Sequence, residues 1–138
     1  MNEALLYPVF VQIALTLALT VTTAYVRFVS VSKADVRVKD IVLGQRNWPR
    51  KVQQLSNALN NQWETPILFY AGVAFALITS AQSALLLPAA WAFVIFRLLH
   101  AGVYVVNNFL PVRFGMFTVS TLSLFVFWAV FAMEILSR

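Results

Sequence analysis

The sequence contains no cysteine, which excludes disulfides, thiolate metal sites and a cysteine nucleophile. Its one histidine is His100, and with no second imidazole to support a metal, none is expected. Charge is scarce as well. Charged residues make up 11% of the 138 positions, and five acidic residues face ten basic ones. Soluble domains carry roughly 25% charged and roughly 45–50% apolar residues, whereas this chain is 61% hydrophobic with a mean hydropathy of +0.79. Too little charge for a water-facing surface excludes an ordinary soluble domain and points to an integral membrane protein. No internal repeat and no low-complexity segment is present.

What the chain does have is four apolar runs, at about 5–26, 63–82, 85–106 and 114–136, each close to the roughly 20 residues that a helix needs to cross a bilayer. The expected fold is all-α: residues 1–138 form a single four-helix membrane bundle with no separate soluble domain. The first run opens with Asn2 and Glu3 rather than a basic stretch and lacks a small-x-small cleavage pattern, so it reads as a retained span. Between Arg27 and Asn61 the chain turns polar and basic, with Lys33, Arg37, Lys39, Arg46, Arg50 and Lys51 against Asp35 and Asp40. The positive-inside rule makes this long loop between helices 1 and 2 cytoplasmic and puts both termini outside, with a bacterial inner membrane as the expected location. Membrane topology also accounts for the net charge of +5, so nucleic acid is not an expected partner.

Pro49 is placed to open a helix that is expected to run unbroken from the loop into the bilayer, loosened or kinked at Pro66. Gln53, Asn57, Asn60 and Glu64 recur along it as a polar stripe. Pro88 falls in the first turn of the third span, where proline is tolerated. The third span ends at Asn107-Asn108 and leads through Phe109-Leu110-Pro111-Val112 to Arg113. Phe117, Phe125, Phe127, Trp128 and Phe131 of the last span read as packing and lipid contacts. Glu134 falls near the outer interface, solvated and close to Arg138.

The stretch Phe96 to Tyr104 carries the sharpest chemical signal. Arg97, His100 and Tyr104 stand at i, i+3 and i+7 inside an apolar helix, which puts them on one face. A mid-span arginine costs about 2.5–3.5 kcal/mol on insertion scales, so that face must meet a partner or a wet cavity. Glu64 is the acidic residue within reach from the neighbouring span, and a Glu64–Arg97 ion pair is expected. His100 reads either as a hydrogen-bonded core residue or as a site residue, and Tyr104 as an interfacial or a site residue. Arg27, at the membrane exit of the first span, either points back into the bundle or snorkels to the headgroups.

Two segments resemble one family closely. Asn57-Ala58-Leu59-Asn60-Asn61-Gln62-Trp63-Glu64-Thr65-Pro66 is similar to the second-helix pattern of the MAPEG family, the membrane-associated proteins in eicosanoid and glutathione metabolism. Arg97-x-x-His100-x-x-x-Tyr104 followed by Pro111-Val112-Arg113 resembles the family's third helix and third loop. The chain is identified as a divergent, prokaryotic-type member. The resemblance implies a homotrimer surrounded by membrane lipids, with a cytoplasmic-side site between subunits that binds glutathione. Position by position it implies Asn61, Glu64, Arg97, His100, Tyr104 and, more loosely, Arg27 as glutathione-binding residues, and Arg113 as the catalytic residue whose charge favours the thiolate. The thiolate would attack a lipophilic electrophile or reduce a lipid peroxide.

The chain also departs from the pattern. Asn57 and Asn60 stand where glutathione-using relatives carry arginines, and Phe114 and Phe117 stand where some carry a serine and a tyrosine. Pro66 is nearer Glu64 than in eukaryotic members. Two function classes follow: a glutathione-dependent transferase or peroxidase, and a non-catalytic member that binds lipid or serves as an accessory subunit of a larger membrane complex.

Overall fold

The first helix shows why this chain needs a membrane. In the computed structural model, which describes residues 3–138, α1 runs from Leu6 to Ser32; Asn2 lies outside the described residues. The buried positions of α1 are Pro8, Gln12, Leu19, Thr23 and Ser30. Its exposed ones include Tyr7, Phe10, Leu17, Val21, Tyr25 and Phe28. Three of the five buried positions are polar and the exposed ones are mostly large and apolar, the reverse of a helix on a water-soluble domain. In hydrocarbon the arrangement is favourable: the lipid receives the apolar face, and polar groups find each other inside. Gln12 Nε2 donates to Gln62 Oε1 at 2.8 Å, with both residues buried.

A loop follows, held by a short 3-10 turn at Val38–Asp40 and an exposed Arg37–Asp40 ion pair of 2.7 Å. Helix α2 spans Arg50–Asn60 with Pro49 just ahead of it, α3 Thr65–Ile78, α4 Leu86–Val106 and α5 Leu110–Leu136. The described residues contain no strand, and the fold is an all-α membrane bundle. Among the described residues, Glu3–Ser32, Leu86–Val106 and Leu110–Leu136 form three helices long and apolar enough to cross a membrane. The expected second span is shorter than its apolar run, since the fourteen residues of α3 cover only about 21 Å at 1.5 Å per residue.

The expectation of one unbroken helix from Pro49 into the bilayer is corrected. After Asn60 the chain passes through a 3-10 turn at Asn61–Trp63, and Glu64 leaves helical geometry altogether with φ −96° and ψ −106°. Proline accounts for the break. Pro66 has no N–H for the carbonyl of Gln62 four residues earlier, and its ring crowds that carbonyl, so a helix running on from α2 would lose its ladder there. Helix α3 therefore restarts with Pro66 in its first turn. The side-chain amides of Asn61 and Gln62 fold back to the carbonyls of Asn57 (3.0 Å) and Ala58 (3.2 Å).

Packing divides the bundle. Toward the α3–α4 turn the core is apolar: Leu5, Phe69, Val73, Leu86, Phe93, Val94, Leu124 and Phe127 cluster together, with Phe69 stacked on Phe93 at 4.7 Å. Toward the basic loop the apolar cluster shrinks to Leu19, Ala58, Ala101 and Tyr104. Glu134, expected to be solvated, lies at the surface and also binds the α3–α4 turn: its carboxylate accepts the backbone N–H groups of Gln82 (2.8 Å) and Ser83 (2.9 Å). It also meets Arg138 at 2.8 Å, as expected.

Gly72 marks a close approach of α3 to α5. A Cβ there would lie 2.9 Å from Phe127 Cε1 and 3.2 Å from Trp128, and the Phe127 ring is fully buried. Gly72→Ala is expected to force the two helices apart at a cost of about 1–3 kcal/mol, read as a lower melting temperature of the detergent-solubilised protein.

Candidate functional site

The site is built on the inward face of α4. Arg97, His100 and Tyr104 are all buried, as their helical spacing predicts, and α4 pairs with α5 more extensively than any other two helices do. Arg97 is completely enclosed. Its Nη2 donates to the backbone carbonyl of Asn61 at 2.5 Å. In a continuous helix that carbonyl would accept the N–H of residue 65; the break ahead of Pro66 leaves it free for the guanidinium. The Nε and Nη1 groups of Arg97 are buried with no protein partner.

The expected Glu64–Arg97 ion pair is not formed. Ion pairs among the described residues are Arg37–Asp40 and Arg138–Glu134, and Glu64 is exposed. The non-helical geometry at Glu64 carries its side chain out of the bundle, so a neutral carbonyl dipole meets Arg97 in place of a carboxylate.

One turn further along α4, His100 Nδ1 lies 2.9 Å from the carbonyl oxygen of Arg113. A carbonyl only accepts, so Nδ1 carries a proton. That Nε2 is buried and unpartnered. The His100 ring packs edge-on to Tyr104 at 5.8 Å and against Phe117 at 5.7 Å. Arg113 enters from the start of α5: its guanidinium lies 4.1 Å over the Tyr104 ring and donates to Asn108 Oδ1. Asn108 sits at φ +54° in the tight α4–α5 turn, a conformation that asparagine tolerates better than most residues. The turn is further tied down by Gln54 of α2, whose amide donates to the carbonyls of Tyr104 and Val105.

These contacts border a cleft of about 220 Å³ lined by the polar Asn61, Glu64, His100, Tyr104 and Arg113 and by the apolar Leu110, Phe114 and Phe117, the last three on the same face of α5 as Arg113. A second cleft of about 300 Å³ shares Asn61, Glu64 and Tyr104 with it and adds Arg46, Asn57 and Asn60. A third, of about 460 Å³, continues past Asn57 and Asn60 to Arg27 and Trp48. Together they form one groove along α2. Five of the sequence-derived site residues therefore meet directly. Arg97 stands behind the groove wall and positions it through Asn61. Arg27 lies at the groove's far end, bound to Ser56 Oγ (2.9 and 3.2 Å) and stacked on Trp48 at 5.2 Å.

Sequence reasoning missed Gln54, Asn108 and Arg46. Asn108 had a signal, because an Asn-Asn pair directly after a helix is a turn marker. Gln54 and Arg46 had none at the level of spacing.

Arg97→Ala is expected to leave the Asn61 carbonyl unpaired beside a cavity and to cost about 2–4 kcal/mol. Glu64→Gln, at an exposed and unpaired position, should stay within about 0.5 kcal/mol of the parent. Melting curves of both variants in one detergent check the pair; equal losses would mean that Arg97 depends on Glu64 after all.

The model of the MAPEG family matches residues 5–133, nearly the whole chain. No curated protein and no solved structure shows significant similarity to it.

Proposed function

This chain belongs to the MAPEG family, and from that premise we propose that it is a membrane-embedded glutathione transferase or peroxidase for lipophilic substrates. One observation carries the reading: Asn61, Glu64, His100, Tyr104 and Arg113 line one cleft together with the apolar Leu110, Phe114 and Phe117. Polar side chains to hold a charged peptide, interleaved with apolar ones to hold an electrophile from the bilayer, would place two reactants of opposite solubility side by side, which removes much of the entropic cost of their meeting.

In this reading Glu64 takes the ammonium of glutathione, and Asn61 and Tyr104 bind its polar groups. Arg113 has no carboxylate partner among the described residues, so its charge is available to favour the thiolate over the thiol. The thiolate sulfur bonds to the electrophilic carbon, the leaving group departs with the bond pair, and the thiol proton passes to solvent. In its neutral form His100, which lines the cleft, offers Nε2 as an acceptor. The assembly proposed is a homotrimer in which the groove is completed between subunits. The basic loop faces the cytoplasm and the termini lie outside, as the positive-inside rule directs.

The test is a thermal shift of the purified protein with millimolar glutathione, alongside conjugation of a chloronitrobenzene. Stabilisation and conjugate formation above the uncatalysed rate are expected, with Arg113→Ala slowing conjugation by about tenfold or more, the change in thiolate fraction for one pK unit. Neither stabilisation nor conjugation would overturn the enzyme reading in favour of a non-catalytic lipid-binding member.

A further inference from the structure

The groove holds two opposite charges that do not meet. Glu64 and Arg46 line the same cleft of about 300 Å³, yet they form no ion pair, and neither side chain has a hydrogen-bond partner among the described residues. Left alone, an acid and an arginine this near each other would be expected to close up. Here each is carried by a segment with its own backbone constraints. Glu64 is fixed by the helix break, with its carboxylate outside the bundle. Arg46 is carried by a loop that is pinned on both sides. Before it, Gly44 takes a φ of +81° that few other residues adopt, and Gln45 Oε1 accepts the N–H of Leu43 at 3.0 Å. After it, Asn47 Nδ2 donates to the Asp40 carbonyl at 2.8 Å, and Trp48 stacks under Arg27, which is itself bonded to Ser56 of α2.

We infer that Arg46 and Glu64 together form a receptor for an α-amino-acid zwitterion, Arg46 taking the carboxylate and Glu64 the ammonium. In such a group both charges sit on one carbon, so the residues that grip them must stand on adjoining walls without neutralising each other. An arginine fork matches a carboxylate with two parallel charge-assisted bonds. The amides of Asn57, Asn60 and Asn61 around the same cleft add neutral donors and acceptors. This inference rests on the glutathione reading in committing to the γ-glutamyl end of that peptide as the occupant. The same zwitterion also occurs on the headgroup of a phosphatidylserine lipid.

The experiment measures binding to the full-length protein in detergent by isothermal titration, using glutathione and two analogues. One, 4-aminobutyryl-Cys-Gly, lacks only the α-carboxylate; the other, glutaryl-Cys-Gly, lacks only the ammonium. The parent should bind both analogues more weakly than glutathione by about tenfold or more, the size of a lost charge-assisted bond. Arg46→Gln should weaken glutathione by about the same factor and bind it no better than the 4-aminobutyryl analogue, while still rejecting the glutaryl analogue. Arg46→Lys should restore part of the discrimination. Because Arg46 is exposed, the ligand-free melting temperature should not move.

Arg46→Gln that binds like the parent, or that loses discrimination against both analogues equally, overturns the assignment. Short-chain phosphatidylserine separates the two readings. Arg46-dependent binding of that lipid with no glutathione binding would keep the zwitterion receptor and overturn the glutathione reading, whereas binding of neither would overturn both.

Discussion

A single buried guanidinium organises this molecule. Arg97 is fully enclosed in a bundle whose outer faces are apolar, and its partner is a backbone carbonyl that exists as a free acceptor only because the chain breaks at Asn61–Glu64. The break has two products. It frees the acceptor for Arg97 on the inner side, and on the outer side it turns Glu64 into the groove. Pro66 is the cause of both, since a helix cannot pass through it with its ladder intact. The polar half of the bundle thus depends on a local defect in helical geometry, and the arginine is stable in the membrane because that defect is there to meet it.

Stability and chemistry occupy opposite halves. The half near the α3–α4 turn is packed with interlocking rings, Phe69 on Phe93 and Phe127 against Gly72, and its buried cluster holds no charged side chain. The other half gives up apolar contact to Gln12, Gln54, Ser56, Gln62, Arg97 and His100. Several of their polar atoms are left without protein partners. Unsatisfied buried polar groups are costly, and such costs gather where a ligand or solvent is to be received. The aromatic half anchors the helices against which these residues are held.

Much of this could be read from the sequence. The spacing of Arg97, His100 and Tyr104 placed them on one buried face because helical periodicity is strict and the surrounding residues are apolar. The boundaries of α4 and the all-α class followed from the same runs of hydropathy, and the match of the MAPEG family over residues 5–133 agrees with the resemblance seen in the two short segments. What escaped was of a different kind. A partner for Arg97 was sought among acidic side chains, whereas the atom that meets it belongs to the backbone and carries no residue-type signature. Both Pro66 and the polar stripe ahead of it were noticed, but whether a proline kinks a helix or ends it depends on what can take up the freed carbonyls, which is a tertiary matter. Arg46 reaches the groove through the fold of a loop whose path no periodicity describes.

The clamp at the far end of the bundle bears on how the chain is made. Glu134 accepts the backbone N–H groups of Gln82 and Ser83, two donors that stand roughly fifty residues ahead of it in the order of synthesis. When α3 and α4 first enter the bilayer as a hairpin, their connecting turn has only water or headgroups for those donors. The turn reaches its final hydrogen bonding once α5 has been threaded across and delivered its last helical turn to the same side. Completion of the last helix is therefore what gives the turn before it its protein acceptor.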